Sequence, residues 1–294
     1  MESPDENKIP RNEHPILDIL TAIVLLIAVV GSAFWVVGDM SADNITVFHV
    51  FIAATITAVA TGFGALPFMF IDKFDDKWLG IGNAVAAGLM LGASIGLVYE
   101  GVTMEDVSFT YLRVLAGAIA GGILVYYSHK FLNNRDEDYS IGNIQGADAI
   151  KMLMILGIMT VHSFAEGIGV GVSFGESHTF GAFIAIAIAI HNIPEGLAIS
   201  LIFIPRGTSI RKAAFWSIFS SLPQPLMAIP AFLFVLTFKP FLPVGLGLAA
   251  GAMFWMVFRE LIPEAKEELE NRSVYIIAII TSIAMMIFQF MIEG

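Results

Sequence analysis

Residues 161–174 read VHSFAEGIGVGVSF and residues 190–203 read IHNIPEGLAISLIF. Each is an apolar run interrupted by a His and a Glu four residues apart, His162 with Glu166 and His191 with Glu195. On a helix that spacing puts both side chains on one face, about one turn apart. The runs that contain them, 152–174 and 179–204, exceed the roughly 20 residues that cross a bilayer, and both pairs fall at the middle of their run. An ionisable group there costs roughly 2.5–3.5 kcal/mol on insertion scales. A single membrane His or Glu is often just hydrogen-bonded to a neighbouring helix. Two copies of H-x-x-x-E-G at matched depth ask for a different reason. Two imidazoles and two carboxylates form a four-ligand set of two nitrogens and two oxygens, and its two negative charges balance a divalent cation. A proton relay could coexist with metal binding.

Working outward, the rest of the chain has the same solvent preference. Of 294 residues 57% are hydrophobic and 14% charged, with a mean hydropathy of +0.80. Globular domains carry roughly 25% charged residues, so a soluble enzyme is excluded. Nine apolar segments read as helices: 16–37, 45–71, 78–99, 107–128, 152–174, 179–204, 213–238, 241–258 and 273–292. The expected fold class is an all-α integral membrane protein with nine transmembrane helices. The chain has no Cys, which removes disulfides, thiolate metal sites and cysteine nucleophiles. A net charge of −11 gives nucleic acid no electrostatic foothold.

Lys and Arg alternate from linker to linker. One side carries 13 of them and the other only Arg113 and Lys239, a split that one missed or invented internal span would scramble. Cytoplasmic loops retain basic residues, so the expectation is a cytoplasmic N-terminus and an outside C-terminus. Residues 1–15 then form a cytoplasmic tail and 16–37 an anchor-type helix. That apolar run is longer than a signal-peptide core, and no clear A-x-A site follows it. The linker 132–147 is polar and expected to be mobile. Asp39, Asp43, Glu100, Glu105, Asp106 and Glu176 make the far side acidic. Such a mouth could concentrate cations, but exclusion of basic residues from outside loops explains the acids as well. Gly88, Gly92 and Gly96, and Gly117 and Gly121, sit four apart, a pattern that lets helices approach closely in lipid.

Proline punctuates two spans. Pro194 frees the carbonyl of Ile190 in the sixth segment, and Pro223 and Pro225 break the seventh around Gln224. Broken helices at membrane depth occur where backbone lines a cavity or meets a ligand. Met90, near the centre of the third segment, offers a soft thioether, although by itself a Met there reads as packing.

The motifs HSFAEG (162–167) and HNIPEG (191–196), with SLPQPLMA (221–228) and GLGLAAGAMFWMVFRELIPEA (245–265) after them, resemble the ZIP (Zrt-, Irt-like) family of divalent metal transporters, nearest its GufA-like branch. The resemblance covers about residues 45–292, with 16–37 as an extra N-terminal helix. It implies an eight-helix core arranged 3+2+3, two triplets related by inverted pseudo-symmetry around the motif helices. It also implies a metal site of His162, Glu166, His191 and Glu195 with Met90 at the family's Met position, and a second site of Ser163, Asn192 and Gln224 that shares the two glutamates. A homodimer is compatible with it and is not read from the residues.

The chain departs from that pattern in three places. Ser163 stands where many members have Asn, Gln224 where many have Glu, and Arg259 where a His commonly precedes the Glu at position 260. The second site thereby loses a charge, so the expected centre is mainly mononuclear or only transiently binuclear.

The functional expectation is transport of a divalent metal into the cytoplasm across the cell membrane by alternating access. Zn²⁺ is the first choice of cargo, and Fe²⁺, Mn²⁺, Co²⁺ or Cd²⁺ also suit the ligands. Divalent metal and membrane lipid are the expected partners, and no organic cofactor is called for. The alternatives are an intramembrane zinc hydrolase, for which no H-E-x-x-H occurs, and a metal sensor, for which no soluble effector domain is present.

Overall fold

The computed structural model describes residues 15–39, 45–70, 76–104, 107–133, 140–141, 144–145 and 147–293. Helix α1 (Pro15–Asp39) is followed by α2 (Val47–Gly62), which tightens into a 3₁₀ segment at Phe63–Met69. Then come α3 (Asp76–Thr103), α4 (Thr110–Asn133), α5 (Ala147–Glu176) and α6 (His178–Phe203). The seventh segment is broken into α7 (Ile210–Ser220), α8 (Pro223–Leu233) and the short α9 (Val235–Phe238). The eighth runs as α10 (Leu242–Met256), a π-helical turn (Val257–Leu261) and α11 (Ile262–Glu268), and α12 (Asn271–Glu293) closes the chain.

The all-α membrane architecture read from the sequence is what the fold shows. All nine expected segments are helical, and seven stretches among the described residues are long and apolar enough to cross a membrane. The other two are α1, where a shorter apolar stretch was found, and the proline-broken α7–α8. A two-residue hairpin, β1 (Ser140–Ile141) with β2 (Ile144–Gln145), sits within the linker 132–147. Residues 134–139, 142–143 and 146 of that linker, and the tail 1–14, lie outside the described residues.

Helices α2, α5, α6, α7 and α8 pack mainly on one another, and α3, α4, α10, α11 and α12 do the same. The pattern repeats itself. Helix α4 lies on α10 as α12 lies on α3, and α5 lies on α8 as α6 lies on α2. Exchanging α2 with α7–α8, α3 with α10, α4 with α12 and α5 with α6 maps each of these contacts onto its counterpart. Each exchange pairs segments of opposite parity along the chain, which makes the repeat inverted.

Glycine supplies the close approaches. A Cβ on Gly88 or Gly92 would run into Ala278 or Ser282 of α12, and one on Gly117 or Gly121 into Val244 or Leu248 of α10. The small-residue stripes therefore seat α3 on α12 and α4 on α10. After α6 the chain turns at Gly207, whose φ of +87° suits a residue without Cβ. Ile119 and Ile123 of α4 and Ile279 and Ile283 of α12 are exposed, as lipid-facing side chains are.

Candidate metal centre

Helix α5 carries His162 and Glu166, and α6 carries His191 and Glu195, all four buried. One ligand atom each from His162, Glu166 and Glu195 falls within a group no wider than 4.8 Å. His162 Nε2 is 2.8 Å from Glu195 Oε1 and 3.3 Å from Glu166 Oε1, so the imidazole stands between the two carboxylates. Neither contact has hydrogen-bond geometry: Glu166 Oε1, both Glu195 oxygens and His162 Nδ1 have no hydrogen-bond partner. Buried acceptors without donors are costly. Two adjacent carboxylates also repel each other unless a cation lies between them. The donor set fits a divalent ion of Zn²⁺ type.

The fourth residue of the expected set lies apart from this group. His191 Nε2 is 2.7 Å from Nε2 of Gln289 on α12. The structure thus brings together three of the four.

The second expected set is organised around Gln224. The segment breaks just before Pro223: α7 ends at Ser220, and α8 starts at Pro223 with the Gln224 N–H donating to the Ser221 carbonyl, while Pro225 is accommodated in the first turn of α8. The break brings the Gln224 side chain to α5, where its Nε2 donates to Glu166 Oε2 at 2.5 Å. Its Oε1 accepts from the Thr57 hydroxyl at 2.5 Å and from Asn192 Nδ2 at 3.1 Å. Asn192 also donates to the Thr57 carbonyl at 2.7 Å. Gln224 therefore uses both ends of its amide in fixing Glu166. Ser163 Oγ and Asn192 Oδ1 stay buried without a partner. Met90 is fully buried in the main apolar core. Pro194 is accommodated within a continuous α6.

Sequence reasoning missed Thr57 and Gln289. Gln289 carried a signal, an amide inside an otherwise apolar span; Thr57 carried almost none.

A cavity of about 900 Å³ leads away from the centre. Its wall runs from Glu166 past Leu97 and Ser173 to Glu100 and Thr103 at the end of α3, Thr179 at the start of α6, and Lys239. Among the acids assigned to the far side, Glu100 thus lines the mouth, while Asp43, Glu105 and Asp106 lie outside the described residues. The opposite ends of the helices are tied by ion pairs between side chains. Lys151 of α5 pairs with Glu264 of α11, and Lys151 Nζ is 3.5 Å from Glu260 Oε2. Arg206, just past α6, reaches Glu264 at 3.3 Å. Arg259 instead lies over the Trp255 ring, 5.7 Å from its centroid.

The family profile described as "ZIP Zinc transporter" matches residues 128–291, more than half the chain. The chain belongs to the ZIP family. Its members are transporters, and nothing in the match supports a hydrolase. A ZIP relative named zinc transporter ZupT, from Akkermansia muciniphila, is 31% identical over 269 residues, covering 84% of this chain and 98% of that one. Zinc transporter GufA of Myxococcus xanthus is 30% identical over 224 residues, 73% of this chain and 87% of its own length. A candidate zinc transporter of Arabidopsis thaliana is 46% identical over 228 residues, 77% of this chain, but the match spans only 36% of that protein.

Proposed function

We propose that this ZIP protein carries Zn²⁺ into the cytoplasm by alternating access, and that His162, Glu166 and Glu195 are the groups that first receive the ion. The observation that carries the reading is the three-residue group itself, whose Glu166 lines the cavity and whose unpartnered carboxylate oxygens face only an imidazole. A divalent ion supplies what those oxygens lack. Fe²⁺, Mn²⁺, Co²⁺ and Cd²⁺ tolerate the same mixed donors and are further candidate cargoes.

The cavity mouth coincides with the linkers poor in Lys and Arg, and the ion-paired end with those rich in them. The positive-inside rule makes the first side outside and the second cytoplasmic, with the N-terminus in and the C-terminus out, in the cell membrane. The conformation is then outward-facing. Zinc descends the cavity and exchanges water for the three ligands. It is released after the α2, α5, α6, α7 and α8 group shifts against the other and opens the cytoplasmic end. The centre is mainly mononuclear, because Gln224 is committed to Glu166, Thr57 and Asn192. Lipid covers the exposed faces of α4 and α12, and a homodimer would bury part of that surface.

The test is ⁶⁵Zn²⁺ uptake into proteoliposomes by the full chain and by the double variant His162→Ala, His191→Ala. Uptake by the wild type that is lost in the variant supports the reading. Absence of flux in the wild type for zinc and for the other four metals would overturn it.

A further inference from the structure

We propose that Gln289 is a positioning residue that holds His191 off the metal centre in the outward-facing state, so that His191 becomes a ligand only after this contact breaks. The inference rests on the transport reading above.

Three helices cooperate to make the contact. His191 shares a helix face with Glu195, one turn away, yet its Nε2 is engaged by Gln289 Nε2 at 2.7 Å. An amide nitrogen donates and does not accept, so the bond uses the lone pair of His191 Nε2. That lone pair is then not available to a metal, and Nε2 ligation and the Gln289 bond exclude each other. On α12 the hydroxyl of Thr281 bonds back to the Ile277 carbonyl of its own helix. Gln289 instead sends its amide across to α6.

The route it takes is provided by α3. A Cβ built on Gly96 would lie 2.2 Å from Gln289 Nε2 and 2.8 Å from its Cδ. Only a residue without a side chain leaves room there. Gly96 thus does more than seat α3 on α12: it leaves the slot through which the amide reaches His191.

The consequence is staged coordination. An ion arriving through the cavity meets the three-residue group of His162, Glu166 and Glu195, with its remaining positions held by water. Helix α6 belongs to one packed group and α12 to the other, so relative movement of the groups pulls His191 from Gln289. The imidazole is then free to complete the coordination. Binding is weak while the site faces outside and tightens as it moves, which lets the ion itself favour the transition.

The test is a double-mutant cycle on the purified full-length protein, titrated with Zn²⁺ alone. Gln289→Leu keeps the bulk of the side chain and removes the donor. It should tighten zinc binding by about three- to tenfold, the worth of one net hydrogen bond. In the His191→Ala background the same substitution should change nothing. Unchanged affinity with His191 present, or an equal change in both backgrounds, overturns the inference, since a purely structural role would not depend on His191. Should Gln289→Leu fail to fold, Gly96→Ala goes through the same cycle; it crowds the amide out of its slot and must give the same His191-dependent tightening. A wild type that binds no zinc would instead refute the transport reading itself.

Discussion

Glu264→Gln tests whether the ion-paired end of the molecule is a cytoplasmic latch. Glu264 pairs with Lys151 and with Arg206, and both cations belong to the α5–α6 side while Glu264 belongs to α11. Those pairs therefore span the two helix groups and must part before a path through this end of the molecule opens. Their side chains are 15–26% exposed, between the surface and the interior. Ion pairs at exposed sites contribute about 0.2–1 kcal/mol each, so losing the shared carboxylate removes about 1 kcal/mol from the closed state. At 1.4 kcal/mol per tenfold, the inward-open population should rise about fivefold.

The absence of Cys from the chain makes this measurable. Ser200 is fully buried on α6, between Glu195 and Arg206, and its hydroxyl has no hydrogen-bond partner. Ser200→Cys thus introduces a single thiol between the centre and the latch. Its labelling by a membrane-impermeant maleimide applied from the cytoplasmic side reports opening. The Glu264→Gln background should raise the labelling rate about fivefold. Higher ionic strength should raise it in the otherwise wild-type protein and much less in the variant, because salt screens the ion pairs. Equal labelling rates in the two backgrounds would refute the latch.

Three further outcomes follow from the same geometry. Lowering pH from 7 to 5 should weaken zinc binding more than tenfold, because a ligating imidazole must be neutral and the carboxylates ionised, so protons compete with the metal; isothermal titrations that stay flat over that range would contradict it. Gln224→Glu replaces the amide that donates to Glu166 at 2.5 Å with a second carboxylate, which needs a second cation, so metal analysis after equilibrium dialysis should rise from one zinc per chain towards two. Gly196→Ala would place a Cβ 1.7 Å from the Thr61 carbonyl oxygen; forcing α2 from α6 should cost at least the roughly 1–3 kcal/mol typical of overpacking, read as a lowered Tm in detergent, and an unchanged Tm would show that the helices separate freely.

Much of this molecule is written in local pattern, and what is not shows where local pattern stops. The helical segments were legible because crossing a bilayer demands an apolar length. His162, Glu166 and Glu195 were legible because a repeated i, i+4 pair of ionisable groups has no cheap place in lipid. The break before Pro223 was legible because Pro lacks an N–H. None of these readings needs to know which helix touches which. The fate of His191 does need it. Its motif is the same as that of His162, yet one imidazole stands between two carboxylates and the other is bonded to an amide 98 residues away. The amide that reaches His191 lies against Gly96 on a third helix, whose spacing reads equally well as plain packing. Gln224 presents the same difficulty: its position invited a ligand role, and only contact with Thr57 and Asn192 shows both ends of the amide already engaged. Local spacing names the groups able to bind a metal. The staged order proposed for their binding rests on contacts between helices, which no local spacing records.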